Sequence, residues 1–243
     1  MPDGFNGSFP KGISAGFVYS EGIMWSGLVG DGTFLRVRVG GTVYIFGLQA
    51  GRILADADGK VIGAEAPSDT NVNRVWRVRP DYKIADLTDD AAAYFQEDPD
   101  SVSQRQIGQL RSQYEKDWSE WPADKGAPFV DVNGDGKYEP ETDTPGIDGA
   151  AQTLWLVAND LTPNVFQVYG SPSIGMEEQI TEWAWHDSSY SELDNVIYKQ
   201  VKLIYKGTPT AAAGSHVDSM YIAQWSDVDD GYYGTTLLVV IRR

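Results

Sequence analysis

From residue 152 onward the chain alternates apolar and polar side chains with a period of two, and this alternation constrains its fold more than any other feature. Segments 153–158 (TLWLVA), 165–169, 176–185 (MEEQITEWAW), 196–206 (VIYKQVKLIYK) and 217–225 (VDSMYIAQW) read as strands. In 196–206, Ile197, Val201, Leu203 and Tyr205 share one face while Tyr198, Gln200, Lys202 and Lys206 take the other, the pattern of a half-buried strand. Strands of this length and number predict a mainly β fold, an antiparallel β-sandwich of jelly-roll type. Nearer the N-terminus, 33–39 (TFLRVRV) and 42–46 (TVYIF) flank Gly40-Gly41, a connection that suits a tight two-residue hairpin. A third strand is expected over 74–79, stopped by Pro80, and 55–73 reads as a long loop in which Asp56-Ala-Asp58-Gly59, half of a calcium motif, is taken as an ordinary turn.

The middle of the chain changes period. Ser101 and Gln104 form a candidate capping box, followed by Ile107, Leu110, Tyr114 and Trp118 at spacings of three and four. One amphipathic helix is expected over about 101–118, and Thr88-Asp89-Asp90 ahead of AAAYF marks a shorter one before it. Trp118 and Trp121 end the apolar stripe and are read as core. The organisation expected is a single β-rich domain over 1–243: a hairpin region at 1–80, a helical insertion at 86–121 (its helices within about 88–118), an ion-binding loop at 128–148 and the main strands at 152–243. At 243 residues the chain is long enough to bury roughly three-quarters of its unfolded surface, so a large core needs no staples.

The loop carries the firmest chemistry. Asp131, Asn133 and Asp135 stand at positions 1, 3 and 5 of a calcium-loop pattern, Gly136 occupies position 6 and the carbonyl of Lys137 falls at position 7. An EF-hand closes with a bidentate Glu at position 12, whereas this chain has Thr142 there; closure is expected through Asp143. The plain alternative is a solvated Asp/Asn/Gly turn. Cysteine is absent, which excludes disulfides and thiolate metal sites and leaves hard, oxygen-ligated cations, Ca²⁺ first. Asp227, Asp229 and Asp230 form a second, weaker candidate cation cluster.

Charge narrows the partners. With 19 basic and 35 acidic residues the formal net charge is -16, which opposes nucleic acid and anionic membrane surfaces and leaves cations and small neutral ligands such as carbohydrate. No stretch approaches the roughly 18 apolar residues of a membrane span. Period two in 176–185 places Glu177, Gln179, Thr181, Trp183 and Trp185 on one face. Aromatic rings beside amides and carboxylates suit a glycan, so Trp183, Trp185 and Gln179 are candidate ligand contacts; burial against a second sheet is the competing account.

An enzymatic reading has few parts. Only two histidines exist, so any Ser-His-Asp chemistry must use His186 or His216. The segment from Gly170 to Gly175 has one residue too many for a nucleophile elbow and a proline within it. Glu178 and Glu182 share a strand face at roughly 13 Å, too far for a glycosidase carboxyl pair. Walker, Rossmann and HExxH motifs are missing.

The strings YEKDWSEWPADKGAPFVDVNGDGKYEPETD (114–143), LWLVANDL (154–161), YGSPSIGMEEQ (169–179), NVIYKQVKLIYKGT (195–208) and SMYIAQWSDVD (219–229) resemble a family of large secreted surface proteins of Bacteroidetes and related bacteria. Members typically end in a sorting domain for type IX secretion. The resemblance implies an extracellular or cell-surface location and assigns no biochemical role. The opening MPDGFNGSFPKG lacks the charged and apolar regions of a signal peptide, and YYGTTLLVVIRR departs from the family pattern. The chain is therefore expected to be a core fragment, a gene piece of the kind recovered from environmental DNA. Two functions are carried forward: a secreted calcium-binding β-sandwich with a structural or glycan-binding role, and a Ca²⁺-dependent hydrolase of esters, lactones or glycosides.

Overall fold

The computed structural model describes residues 7–8, 16–34, 36–44, 47–186, 194 and 196–228. In chain order its strands are β1 (Gly7–Ser8), β2 (Gly16–Gly30), β3 (Val37–Gly41), β4 (Gln49–Ala50), β5 (Ile53–Ala55), β6 (Val61–Ala64) and β7 (Trp76–Val78). Helices α1 (Thr88–Phe95) and α2 (Gln104–Ser119) follow, then β8 (Phe129–Val130), β9 (Thr144–Pro145), β10 (Gln152–Asn159), α3 (Asn164–Tyr169), β11 (Met176–Ala184), β12 (Tyr198–Tyr205) and β13 (His216–Val228). The fold is mainly β, as the alternation predicts; α1 begins at Thr88, where the Thr88-Asp89-Asp90 signal stands, and α2 covers most of the 101–118 stretch expected from apolar spacing, starting three residues later.

Backbone contacts divide the chain into two compact units. Unit I holds Thr70–Val157 and Glu178–Lys202; unit II holds Asp3–Asp69, Ala158–Glu177 and Leu203–Arg243. Strands β10, β11 and β12 each contribute residues to both.

In unit I the start of β10 pairs antiparallel with β7, Trp155 opposite Trp76 and Thr153 opposite Val78. Burial along β10 alternates strictly, so one face supplies core and the other does not. Trp76, Val78, Trp155 and Val157 pack with Trp121 and Ala127, against which Trp118, Phe129 and Tyr138 close. Tyr82, Leu87, Ala91, Leu110 and Tyr114 make the helical core. The N-terminus of α2 has a complete capping box, formed by Ser103 and Gln106 rather than Ser101 and Gln104. Asp117 of α2 is 1 % exposed; it accepts from Arg74 Nε (2.8 Å), Arg77 N (3.1 Å) and Gln113 Nε2 (2.9 Å), which ties the helix to β7.

In unit II, β2 is bordered along its length by β13, from His216 opposite Gly30 to Val228 opposite Val18, and β3 pairs its other edge. Trp25 and Val29 of β2 pack with Ile174 and Met176. The expected hairpin about Gly40-Gly41 is therefore not formed. β3 runs through both glycines against β2, with Met24 opposite Gly41 and Trp25 opposite Gly40; residues 42–44 are not strand, and 45–46 lie outside the described residues. A Cβ on Gly40 would stand 2.6 Å from Trp25 Nε1, and Gly41 has φ 112°, so close approach and backbone conformation demand the pair.

Two further expectations are corrected. Residues 165–169 are helix α3, opened by Pro163 and closed by Gly170 in the left-handed region, rather than strand. The 55–73 stretch begins inside a hairpin, with Ile53 opposite Ala64 and Leu54 opposite Gly63. Its turn is the Asp56 turn, in which Asp56 Oδ1 accepts from the amides of Asp58 (3.0 Å) and Lys60 (2.9 Å).

Candidate functional site

The loop of unit I is wound about Asp131. Its Oδ1 accepts from the amides of Gly134 (2.7 Å) and Asp135 (3.2 Å), and its Oδ2 accepts from the amide of Gly136 (2.7 Å). Asn133 Oδ1 accepts from Asp135 N at 3.1 Å, and Asp135 Oδ1 accepts from Lys137 N at 2.8 Å. Gly134 and Gly136, at φ 76° and 77°, allow the chain to fold back this tightly. Asp143, 3 % exposed, closes the loop by accepting from Val132 N (3.0 Å) and Glu139 N (2.9 Å), while β8 pairs β9 at the loop's base. Glu139, which spacing did not single out, accepts from Asn133 Nδ2 at 3.0 Å.

A carboxylate offers about four lone-pair sites, so Asp131 retains one on Oδ2, Asp135 keeps an unengaged Oδ2, and each oxygen of Asp143 keeps one. With the Asn133 amide and the Lys137 carbonyl these are the hard oxygen donors a Ca²⁺ ion takes, and in this chemical sense the residues fit it. Among the described residues, however, no three acidic or histidine side chains are gathered as a ready cation cluster. Gly136 and Lys137 also border a cleft of about 410 Å³ walled by Trp121, Phe129 and Tyr138.

The other candidates are distributed. Trp183 stacks on Tyr198 (centroids 5.7 Å, 17° between planes), and Trp185 meets Tyr198 edge-on at 4.7 Å. These rings are half-buried, so the aromatic face of β11 is partly spent on its own neighbours. Gln179 is 5 % exposed and donates to Lys125 O at 3.0 Å. His186 lies 3.2 Å from Asp194, and His216 lies 3.3 Å from Asp218 and 3.2 Å from Gly214 O. Both histidine side chains are more than half exposed, and neither lines a described cleft. Asp227 accepts from Tyr44 Oη at 2.9 Å; Asp229 and Asp230 lie outside the described residues.

Sequence reading missed a larger cleft in unit II, of about 630 Å³. Four connections build it: the β2–β3 turn (Thr33, Phe34), the segments after β10 (Leu161, Thr162, Pro163) and after α3 (Pro172, Ser173), and the β12–β13 link (Thr208, Pro209, Thr210). At its base Arg38 pairs with Asp31 at 2.8 Å, both side chains 2 % exposed. Arg38 also donates to Ser173 O (2.9 Å) and to Thr33 Oγ1. Burial works to raise the Asp31 carboxyl, but the Arg38 and Thr33 hydrogen bonds outweigh it and hold the group below the usual carboxylate range. Nothing in a single sequence announces this cleft, because its walls come from segments more than a hundred residues apart.

No family model, curated protein or solved structure matches the chain.

Proposed function

We propose that this chain is a calcium-stabilised, extracellular β module with a binding rather than a catalytic role. The reading rests on one observation: Asp131 sits at the centre of the 131–136 turn with three backbone amides aimed at its carboxylate, while Asp143 closes the loop from a buried position. Asp131, Asn133, Asp135, Asp143 and the Lys137 carbonyl would hold the ion. Bound there, the ion supplies positive charge to a loop whose carboxylates otherwise repel one another. The jelly-roll-like sandwich belongs to the same reading, since the long strands whose registers are defined pair antiparallel, as sandwich strands do. The extracellular location rests on the resemblance of strings such as 114–143 and 195–208 to secreted surface proteins.

The test is thermal unfolding of the full chain with chelator and with millimolar Ca²⁺. An ion bound only by the folded loop adds about 2.7 kcal/mol at a hundredfold excess over Kd, so the melting temperature should rise by several degrees. Asp131→Ala should melt low in both conditions, having lost three hydrogen bonds, and should not respond to calcium. A wild-type melting temperature indifferent to calcium would sink the reading.

A further inference from the structure

The unit II cleft is a built recess whose charges are already neutralised. Asp31 and Arg38 satisfy each other beneath it, and Glu65 on its wall is held by Arg52 through Nε (3.0 Å), Nη2 (2.6 Å) and the backbone amide (2.9 Å). No unpaired charge on these side chains faces the space, so an ionic ligand would lose its hydration without a counter-charge to replace it. A volume of about 630 Å³ lies within the usual range of small-molecule sites, roughly 300–1,000 Å³.

The walls have two kinds of surface. Phe34, 90 % exposed at the rim, together with Pro67, Pro163, Pro172 and Pro209, presents flat, rigid apolar faces that lose little entropy on contact. Between them stand neutral hydrogen-bonding groups. The Thr208 and Thr210 hydroxyls lie 3.3 Å apart, and the Gln49 side-chain oxygen and the Ser173 hydroxyl have no partner among the described residues. A ligand matched to this lining is uncharged, about one or two rings in size, apolar on its faces and rich in hydroxyls at its edges. A pyranose has that make-up; an apolar molecule would strand the threonine and glutamine groups.

We infer that the cleft bounded by Phe34, Gln49, Ser173 and Thr208–Thr210 binds a neutral mono- or disaccharide. The assignment deepens the binding role proposed above by giving it a place and a ligand class. It stands apart from the ion, since no residue of the 131–143 loop lines this cleft.

The experiment is isothermal titration, supported by saturation-transfer NMR, of the full chain with glucose, galactose, mannose, xylose and their β-linked disaccharides, with glucuronate and glucosamine as charged controls. At least one neutral sugar should bind saturably, and its charged analogue should bind at least about tenfold more weakly, a difference of about 1.4 kcal/mol. Phe34→Ala, which removes an exposed ring and leaves the fold intact, should weaken binding about tenfold. Ala64→Phe, which fills the cleft from β6, should abolish it. Sugar affinity of the wild type should be the same with chelator as with millimolar Ca²⁺, which separates this assignment from the cation reading. Absence of saturable binding by every neutral sugar, equal binding of the charged sugars, or wild-type affinity in Phe34→Ala would overturn the proposal.

Discussion

Glu178 lies in β11 with 1 % of its surface exposed and an Oε1 that no donor among the described residues reaches. Burial pushes its carboxyl up to about 7, with Lys199 only partly opposing the shift. The ordinary value is 4.5, so the folded protein holds this proton more tightly than the unfolded chain does. Stability from the protonated group is complete below about pH 4.5 and is lost as pH rises towards 7. Glu178→Gln should flatten that slope and stabilise the protein at neutral pH by up to about 3 kcal/mol, measured by denaturant unfolding between the two pH values; an unchanged slope would refute this. Asp160, fully buried, behaves differently. Burial raises its carboxyl to about 6, yet it accepts from the amides of Ile174 (3.0 Å), Gly175 (2.9 Å) and Met176 (2.9 Å). Asp160→Ala strands three buried donors at about 1–3 kcal/mol each and should cost more than 3 kcal/mol, whereas Asp160→Asn, which keeps an acceptor, should cost less. Equal losses in the two variants would mean that packing, not the hydrogen bonds, matters there.

At the scale of elements, local signals were legible where local physics decides. Helix α2 follows from its apolar spacing, and Ser103→Ala should cost it about 1 kcal/mol in a thermal melt, because the capping box satisfies amides that the helix cannot. Strand β10 follows from alternation that burial reproduces residue by residue. Strand β2, the longest, was illegible: Gly16, Gly22, Gly27 and Gly30 punctuate it as turns would, and only its pairing with β13 and β3 explains them. At Gly27 a Cβ would meet Val217 Cγ1 at 2.4 Å. Likewise the β-branched and aromatic residues of 165–169 suggested a strand, but Pro163 and Gly170 bound a stretch of only six residues and close it as helix α3. Gly40→Ala tests the β2–β3 pairing. Its Cβ would crowd Trp25, so a loss of about 1–3 kcal/mol is expected by calorimetry, whereas a hairpin turn at that position would tolerate alanine at less cost.

For the whole molecule, a net charge of -16 makes self-repulsion a general load on the folded state. Added NaCl, by shortening the screening length from about 30 Å at 0.01 M to about 8 Å at 0.15 M, should raise the melting temperature with chelator present. A fall would show that attractive ion pairs such as Arg74–Asp117 and Arg38–Asp31 dominate instead. Composition and period determined the mainly β class, the helical insertion, the absence of thiol chemistry and the position of the Asp131 loop, because each depends on residues within a few positions of one another. The division into two units, the partners of β2 and the unit II cleft were decided only in three dimensions. Strand pairing and cleft walls join segments over a hundred residues apart, and whether a glycine is a turn or a point of close approach depends on the side chain that the fold brings against it.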